Sequence, residues 1–118
     1  MDYLKLDRVT IYRFHAQFCK VLADANRLLI IAELADGEKS VNDLSNSLGL
    51  TQPNVSKHLA LMRERGLVET RRDGPSIYYS ISDPRIVEAI GLLVRVQADQ
   101  FARMHSLTEA ASQETKRK

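Results

Sequence analysis

Ser40-Val41-Asn42-Asp43-Leu44-Ser45-Asn46-Ser47-Leu48-Gly49-Leu50-Thr51-Gln52-Pro53-Asn54-Val55-Ser56-Lys57-His58-Leu59 is the stretch on which the fold turns. Ser40 has the chemistry of a helix N-cap, and Asp43, three residues on, gives an acidic form of the capping box. The helix they open, Val41 to Leu48, is short and stops at Gly49, which can take the left-handed conformation of a tight turn. Thr51 caps a second helix with Pro53 in its first turn, where a missing N–H does no harm. Val55, Leu59 and Met62 give that helix one apolar face, and Gly66 ends it. Two short helices joined through a glycine turn predict a helix-turn-helix.

The second helix offers a distinctive outer surface. On a 100° wheel Pro53, Lys57, Ala60 and Glu64 lie opposite the apolar face, flanked by Asn54 and Ser56. Gln52 sits at the N-terminal end, where a major-groove helix comes closest to base edges. Gln, Asn and Ser can exchange hydrogen bonds with bases, and Lys suits a phosphate. The candidate DNA-contacting residues here are Thr51, Gln52, Asn54, Ser56, Lys57 and His58. Two of these carry a second reading: Thr51 is the cap, and His58 lies nearer the apolar side, which suits a hydrogen-bonded structural histidine. For the whole set the alternative is a solvated polar helix end.

Downstream, Leu67 to Arg72 and Ser76 to Ile81 read as strands separated by Asp73-Gly74-Pro75, a turn signal. Tyr78 and Tyr79 alternate faces on the second strand, predicting one in the core and one exposed. Arg71 and Arg72 stand just before the turn, and a β-ribbon tip can lie along a phosphate backbone or enter a minor groove. From Thr51 to Ser80, Lys57, Arg63, Arg65, Arg71 and Arg72 outnumber Glu64, Glu69 and Asp73, leaving a local +2. A charged hairpin by itself also fits a guarded sheet edge. Helix-turn-helix and basic hairpin together favour duplex DNA.

Upstream, about Leu4 to Leu22 is helical with two apolar stripes: Ile11, Phe14, Phe18 and Leu22 on one line, and Val9, Tyr12, Ala16 and Cys19 on another. A helix facing a single core needs one stripe, so the second predicts a further partner such as another subunit. Asp24 caps a helix with the interior Leu28 to Leu34 that stops at Gly37. Ser82 or Asp83 with Pro84 opens a long last helix, again apolar on two lines: Ile86, Ile90 and Leu93, then Val87, Val94 and Phe101. Residues 106–118 are polar and are expected to fray, leaving residues 1–105 as one domain. At 118 residues the chain suits a single domain, and 44% hydrophobic with 27% charged residues excludes a disordered one. A net charge of +2 is too mild to announce a nucleic-acid binder alone. The single cysteine, Cys19, excludes an intramolecular disulfide, and no apolar run approaches the ~18 residues of a membrane span. Together with a start that lacks a signal sequence, this predicts a cytoplasmic protein.

From about His15 to His105 the chain resembles the ArsR/SmtB family of small bacterial winged-helix repressors. The resemblance rests on Leu22-Ala23-Asp24-Ala25-Asn26-Arg27-Leu28, on Leu50 through Leu59 as quoted above, on Leu67-Val68-Glu69-Thr70-Arg71-Arg72-Asp73-Gly74, and on Tyr78-Tyr79. It implies a mainly α fold with a small β-hairpin, a winged helix-turn-helix dimerising through its first and last helices. It also implies binding to an imperfect inverted repeat in a promoter, with repression relieved by an effector.

The same resemblance subtracts two metal sites. Where relatives place a Cys-x-Cys pair before the recognition helix, this chain has Ser40 and Asn42. Where zinc sensors use an Asp, two His and a Glu on the last helix, it has Asp83, Arg85, Val96 and Asp99, and the cationic Arg85 would repel a metal. His15 and Cys19 remain, one helical turn apart, with His105 as a third candidate ligand. Packing and hydrogen bonding are the stronger reading of that pair, no cofactor is expected, and the effector is left open. An enzyme is disfavoured, because three scattered histidines come with no nucleophile–base pair and no phosphate-cradling glycine loop. The other class that stays open is a protein-interaction adaptor whose winged-helix scaffold has lost DNA binding.

Overall fold

The computed structural model describes residues 5–117, with side chains through 113; Leu4, the expected start of the first helix, and Lys118 lie outside them. The elements in order are α1 (Arg8–Val21), α2 (Ala25–Leu34), α3 (Val41–Leu48), α4 (Gln52–Glu64), β1 (Val68–Asp73), β2 (Ser76–Ile81) and α5 (Pro84–Arg117). Residues up to Pro84 form one compact unit and those from Arg85 onward a second.

Side-chain caps set the helix starts. Asp7, Asp24, Ser40 and Thr51 each accept from the backbone N–H three residues on, and so start α1 to α4. Asp7 accounts for α1 beginning at Arg8, later than the apolar pattern suggested. At α3 the box closes both ways: Asp43 N–H donates to Ser40 Oγ at 3.1 Å, and Ser40 N–H to Asp43 Oδ2 at 3.1 Å. Gly49 ends α3 at φ 67°, in the left-handed region where a Cβ is strained. Ser45 Oγ donates to the Leu50 carbonyl and tightens the same turn.

The core of the first unit is Val21, Ile30, Ile31, Leu34, Leu44, Val55, Leu59, Met62, Leu67 and Val68, with no buried polar or charged residue among the described ones. Full burial of such side chains stabilises by about 1.5–3 kcal/mol each before chain entropy is subtracted. Val55, Leu59 and Met62, at 0% exposure, fix the roll of α4 and so decide which of its residues reach solvent. Strand β1 pairs antiparallel with β2, Arg71 opposite Tyr78 and Arg72 opposite Ile77. β1 starts one residue later than expected, because Leu67 is taken up in leaving α4: its N–H donates to the Met62 carbonyl at 2.8 Å. Lys39 and Tyr79 exchange backbone hydrogen bonds of 3.0 and 2.8 Å, which ties the hairpin to the segment before α3. Tyr78 and Tyr79 are both half-buried, in place of the expected core and exposed pair. A two-stranded ribbon has no second layer over its outer face, and there the Arg71 side chain lies over the Tyr78 ring.

α5 runs from Pro84 as far as Arg117, and so includes residues of the polar tail. Helix-favouring Glu109, Ala110 and Ala111 continue it, and Thr108 Oγ1 donates to the Met104 carbonyl at 2.9 Å.

Candidate nucleic-acid interface

Helix α4 presents the polar surface that its buried face leaves over. Gln52, Ser56 and Lys57 are exposed and Asn54 is half-exposed, while Val55 and Leu59 point inward between them. Thr51 is exposed, but its hydroxyl accepts from the Asn54 N–H at 3.3 Å and serves the helix start. Gln52 Nε2 donates to Asn42 Oδ1 on α3 at 2.9 Å. A cleft of about 440 Å³ joins this pair to the hairpin turn, lined by Ser40, Asn42, Gln52, Pro75, Ser76 and Ile77 among others. The start of α4 and the tip of the hairpin therefore form one continuous surface.

Arg72 is exposed near that tip. Arg71 is exposed too, yet it is engaged: Nη2 donates to Glu38 Oε1 at 2.6 Å and Nε to Glu38 Oε2 at 3.1 Å. Its guanidinium carbon stands 5.0 Å from the Tyr78 ring centroid, a cation–π contact. The hydrogen bond from Arg71 holds the Glu38 carboxyl below the ordinary carboxylate range, and Glu38 in turn raises the Arg71 guanidinium. Donation from the Ser40 backbone likewise depresses Asp43. His58 faces a different way from the other candidates. It is half-buried, with Nδ1 3.5 Å from Nη1 of Arg27, whose guanidinium also donates to the Val21 and Lys20 carbonyls at the end of α1.

The metal candidates divide between the two units. His15 Nε2 lies 3.5 Å from Cys19 Sγ on the exposed surface of α1. His105, on α5, lies 3.0 Å from the Glu109 carboxylate and stacks on Phe101. Among the described residues no group of three or more His, Cys, Asp or Glu is close enough to hold a metal ion. Ser40 and Asn42 are engaged by the α3 cap and by Gln52.

Three residues outside the sequence-based candidates shape this surface: Glu38, Asn42 and Arg27. Single polar side chains in a loop (Glu38) and in first helical turns (Arg27 of α2, Asn42 of α3) carry no periodic signal, so only their tertiary partners mark them.

Residues 24–70 match the family model described as bacterial regulatory protein, arsR family. Over 107 residues the chain is 36% identical to the HTH-type transcriptional regulator Rv0081 of Mycobacterium tuberculosis, covering 86% of this chain and 94% of that one. The chain belongs to the ArsR family of bacterial regulatory proteins. The crystal structure of that ArsR-family relative superposes with a TM-score of 0.72 at 34% identity, covering 78% of this chain and 93% of its own. A probable mercury resistance operon repressor of Streptomyces lividans is 34% identical over 93 residues, 79% of this chain and 74% of that protein. The homodimeric winged helix-turn-helix DNA-binding domain of Mb0332 from Mycobacterium bovis matches with a TM-score of 0.67 at 31% identity, covering 86% of this chain and 94% of that one. The fold is accordingly the winged helix-turn-helix of ArsR-family transcriptional regulators, α3 and α4 forming the helix-turn-helix and the β1–β2 hairpin the wing.

Proposed function

We propose that the protein is a cytoplasmic transcriptional repressor that reads an inverted-repeat operator as a homodimer. Gln52, Asn54 and Ser56 meet base edges in the major groove, while Lys57, Arg71 and Arg72 hold phosphates. The observation that carries this reading is the continuous surface formed by the exposed start of α4 and the hairpin turn, with Gln52 held at their junction. Thr51, whose hydroxyl caps α4, and His58, which lies beside Arg27, complete the DNA-facing set proposed for this helix.

Dimerisation through α1 and α5 is supported by what those helices expose. Val9 and Tyr12 at 60% and Phe14 at 59% exposure stand on α1, and Leu93, Val94, Phe101, Met104 and Leu107 are exposed on α5. Apolar surface on this scale marks an interaction site in a soluble protein. Both metal sites of the family are absent from the chemistry of this chain: Ser40 and Asn42 supply no thiolate, and Asp83 and Asp99 are left with Arg85 and Val96. No helix among the described residues is long and apolar enough to cross a membrane.

Fluorescence anisotropy with the duplex upstream of the protein's own gene, against a scrambled duplex over a salt series, tests the proposal. Specific binding of one dimer per inverted repeat, weakening steeply with salt, is expected. Equal affinity for the scrambled duplex, or a monomer in sedimentation, refutes it.

A further inference from the structure

Gln52 has an amide with two N–H donors and one carbonyl acceptor, so an unrestrained Gln can face either purine. Adenine offers the major groove an acceptor at N7 and a donor at N6, whereas guanine offers acceptors at both N7 and O6. Two hydrogen bonds to guanine need both N–H groups on the base. Two to adenine need one N–H and the carbonyl.

One of those N–H groups is already spent. Gln52 Nε2 donates to Asn42 Oδ1 at 2.9 Å, across the turn from the first residue of α4 to the first turn of α3. What Gln52 keeps for a base is one N–H and the Oε1 acceptor, both in the plane of the amide. The side chain is exposed and opens toward the cleft it shares with the hairpin turn. Asn42 is itself anchored, because α3 is closed at this end by the reciprocal Ser40–Asp43 box.

We propose that Asn42 is a positioning residue that makes Gln52 an adenine reader, so that each half-site carries one adenine recognised at N7 and N6. The mechanism is subtraction: occupying one donor leaves the pattern complementary to adenine and one donor short for guanine. It also holds the rotamer of a long side chain before binding, so less ordering is left to be done at the interface. This inference rests on the DNA-reading role proposed above for α4.

The test is selection of bound duplexes from a randomised inverted-repeat library by the full-length protein, followed by affinities for single-base variants of the winning site. Wild type should show one position per half-site where adenine exceeds guanine by about tenfold, the discrimination of a bidentate contact. Gln52→Ala should erase that preference, and 7-deazaadenine there should weaken wild type but not the variant. Asn42→Ala should bring adenine and guanine to within about threefold of each other, since the freed amide can offer both donors. Asn42→Asp restores an obligate acceptor and should restore the adenine preference, with lower affinity for every duplex from the added negative charge. A Gln52-dependent guanine preference, or an adenine-to-guanine ratio unmoved by Asn42→Ala, overturns the inference while leaving operator binding intact. Failure of wild type to select any sequence overturns the DNA-reading role and this inference with it.

Discussion

Replacing Arg71 by alanine tests the phosphate-holding role of the hairpin, and the structure makes the outcome more than a loss of affinity. In the free protein the guanidinium is held by Glu38 through two hydrogen bonds, 2.6 and 3.1 Å, and rests over Tyr78. A phosphate competes with that carboxylate for the Nε and Nη2 donors, and Glu38 offsets the positive charge the phosphate would meet. Each phosphate neutralised contributes about 0.9 to the slope of log affinity against log salt, so one Arg71 from each protomer of a dimer gives about 1.8 per operator. Anisotropy titrations over a salt series should show Arg71→Ala flattening the slope by that amount, on specific and scrambled duplexes alike. Glu38→Gln should act in the opposite direction. It releases Arg71 and removes a negative charge near the backbone, so binding tightens on every sequence. Most of the gain should be lost in the Glu38→Gln/Arg71→Ala double variant, because the part that passes through Arg71 disappears and only the effect of the removed Glu38 charge is left. A wild-type slope in Arg71→Ala, or a Glu38→Gln gain undiminished without Arg71, refutes the assignment and leaves the ion pair as a tie between the wing and the segment before α3.

Gln52→Ala should lower discrimination between operator and scrambled duplex by about 1–3 kcal/mol at an unchanged salt slope; equal losses on both duplexes would assign Gln52 to the backbone. Leu59→Ala removes a side chain with 0% exposure from the inner face of α4 and should cost about 2–5 kcal/mol in urea unfolding. A loss under ~1 kcal/mol would mean that α4 is not seated as described. Asp43→Asn tests the α3 cap through pH. The folded-state carboxyl is depressed, so its contribution is present above the unfolded-state value and fades as pH falls through the folded one. Wild type should therefore exceed the variant in urea midpoint at neutral pH and converge with it by ~pH 2; a pH-independent gap would rule out the carboxylate as the source.

Local chemistry decides most of the architecture, which is why the sequence alone discloses it. Ser40 with Asp43, Gly49, Thr51 and Gly66 each act within a few residues of themselves, and they bound α3 and α4 where short-range rules put them. Val55, Leu59 and Met62 set the buried face of α4 by spacing, and that choice exposes Gln52, Ser56 and Lys57. Partner choice is different in kind. Arg71 looks like a free cation in the sequence, yet Glu38, thirty-three residues earlier, is brought to it when Lys39 and Tyr79 pair their backbones. His58 belongs by position to the reading helix, but Arg27 engages it from α2. Asn42 stands on α3 as one more polar surface residue until the turn at Gly49 brings it against Gln52. The helices, the turn and the hairpin follow from periodicity and capping, which act over one or two turns of chain. Which polar groups meet is settled only when α2, α3, α4 and the hairpin close on their common core, since a hydrogen bond reaches about 3 Å and no spacing rule spans that fold.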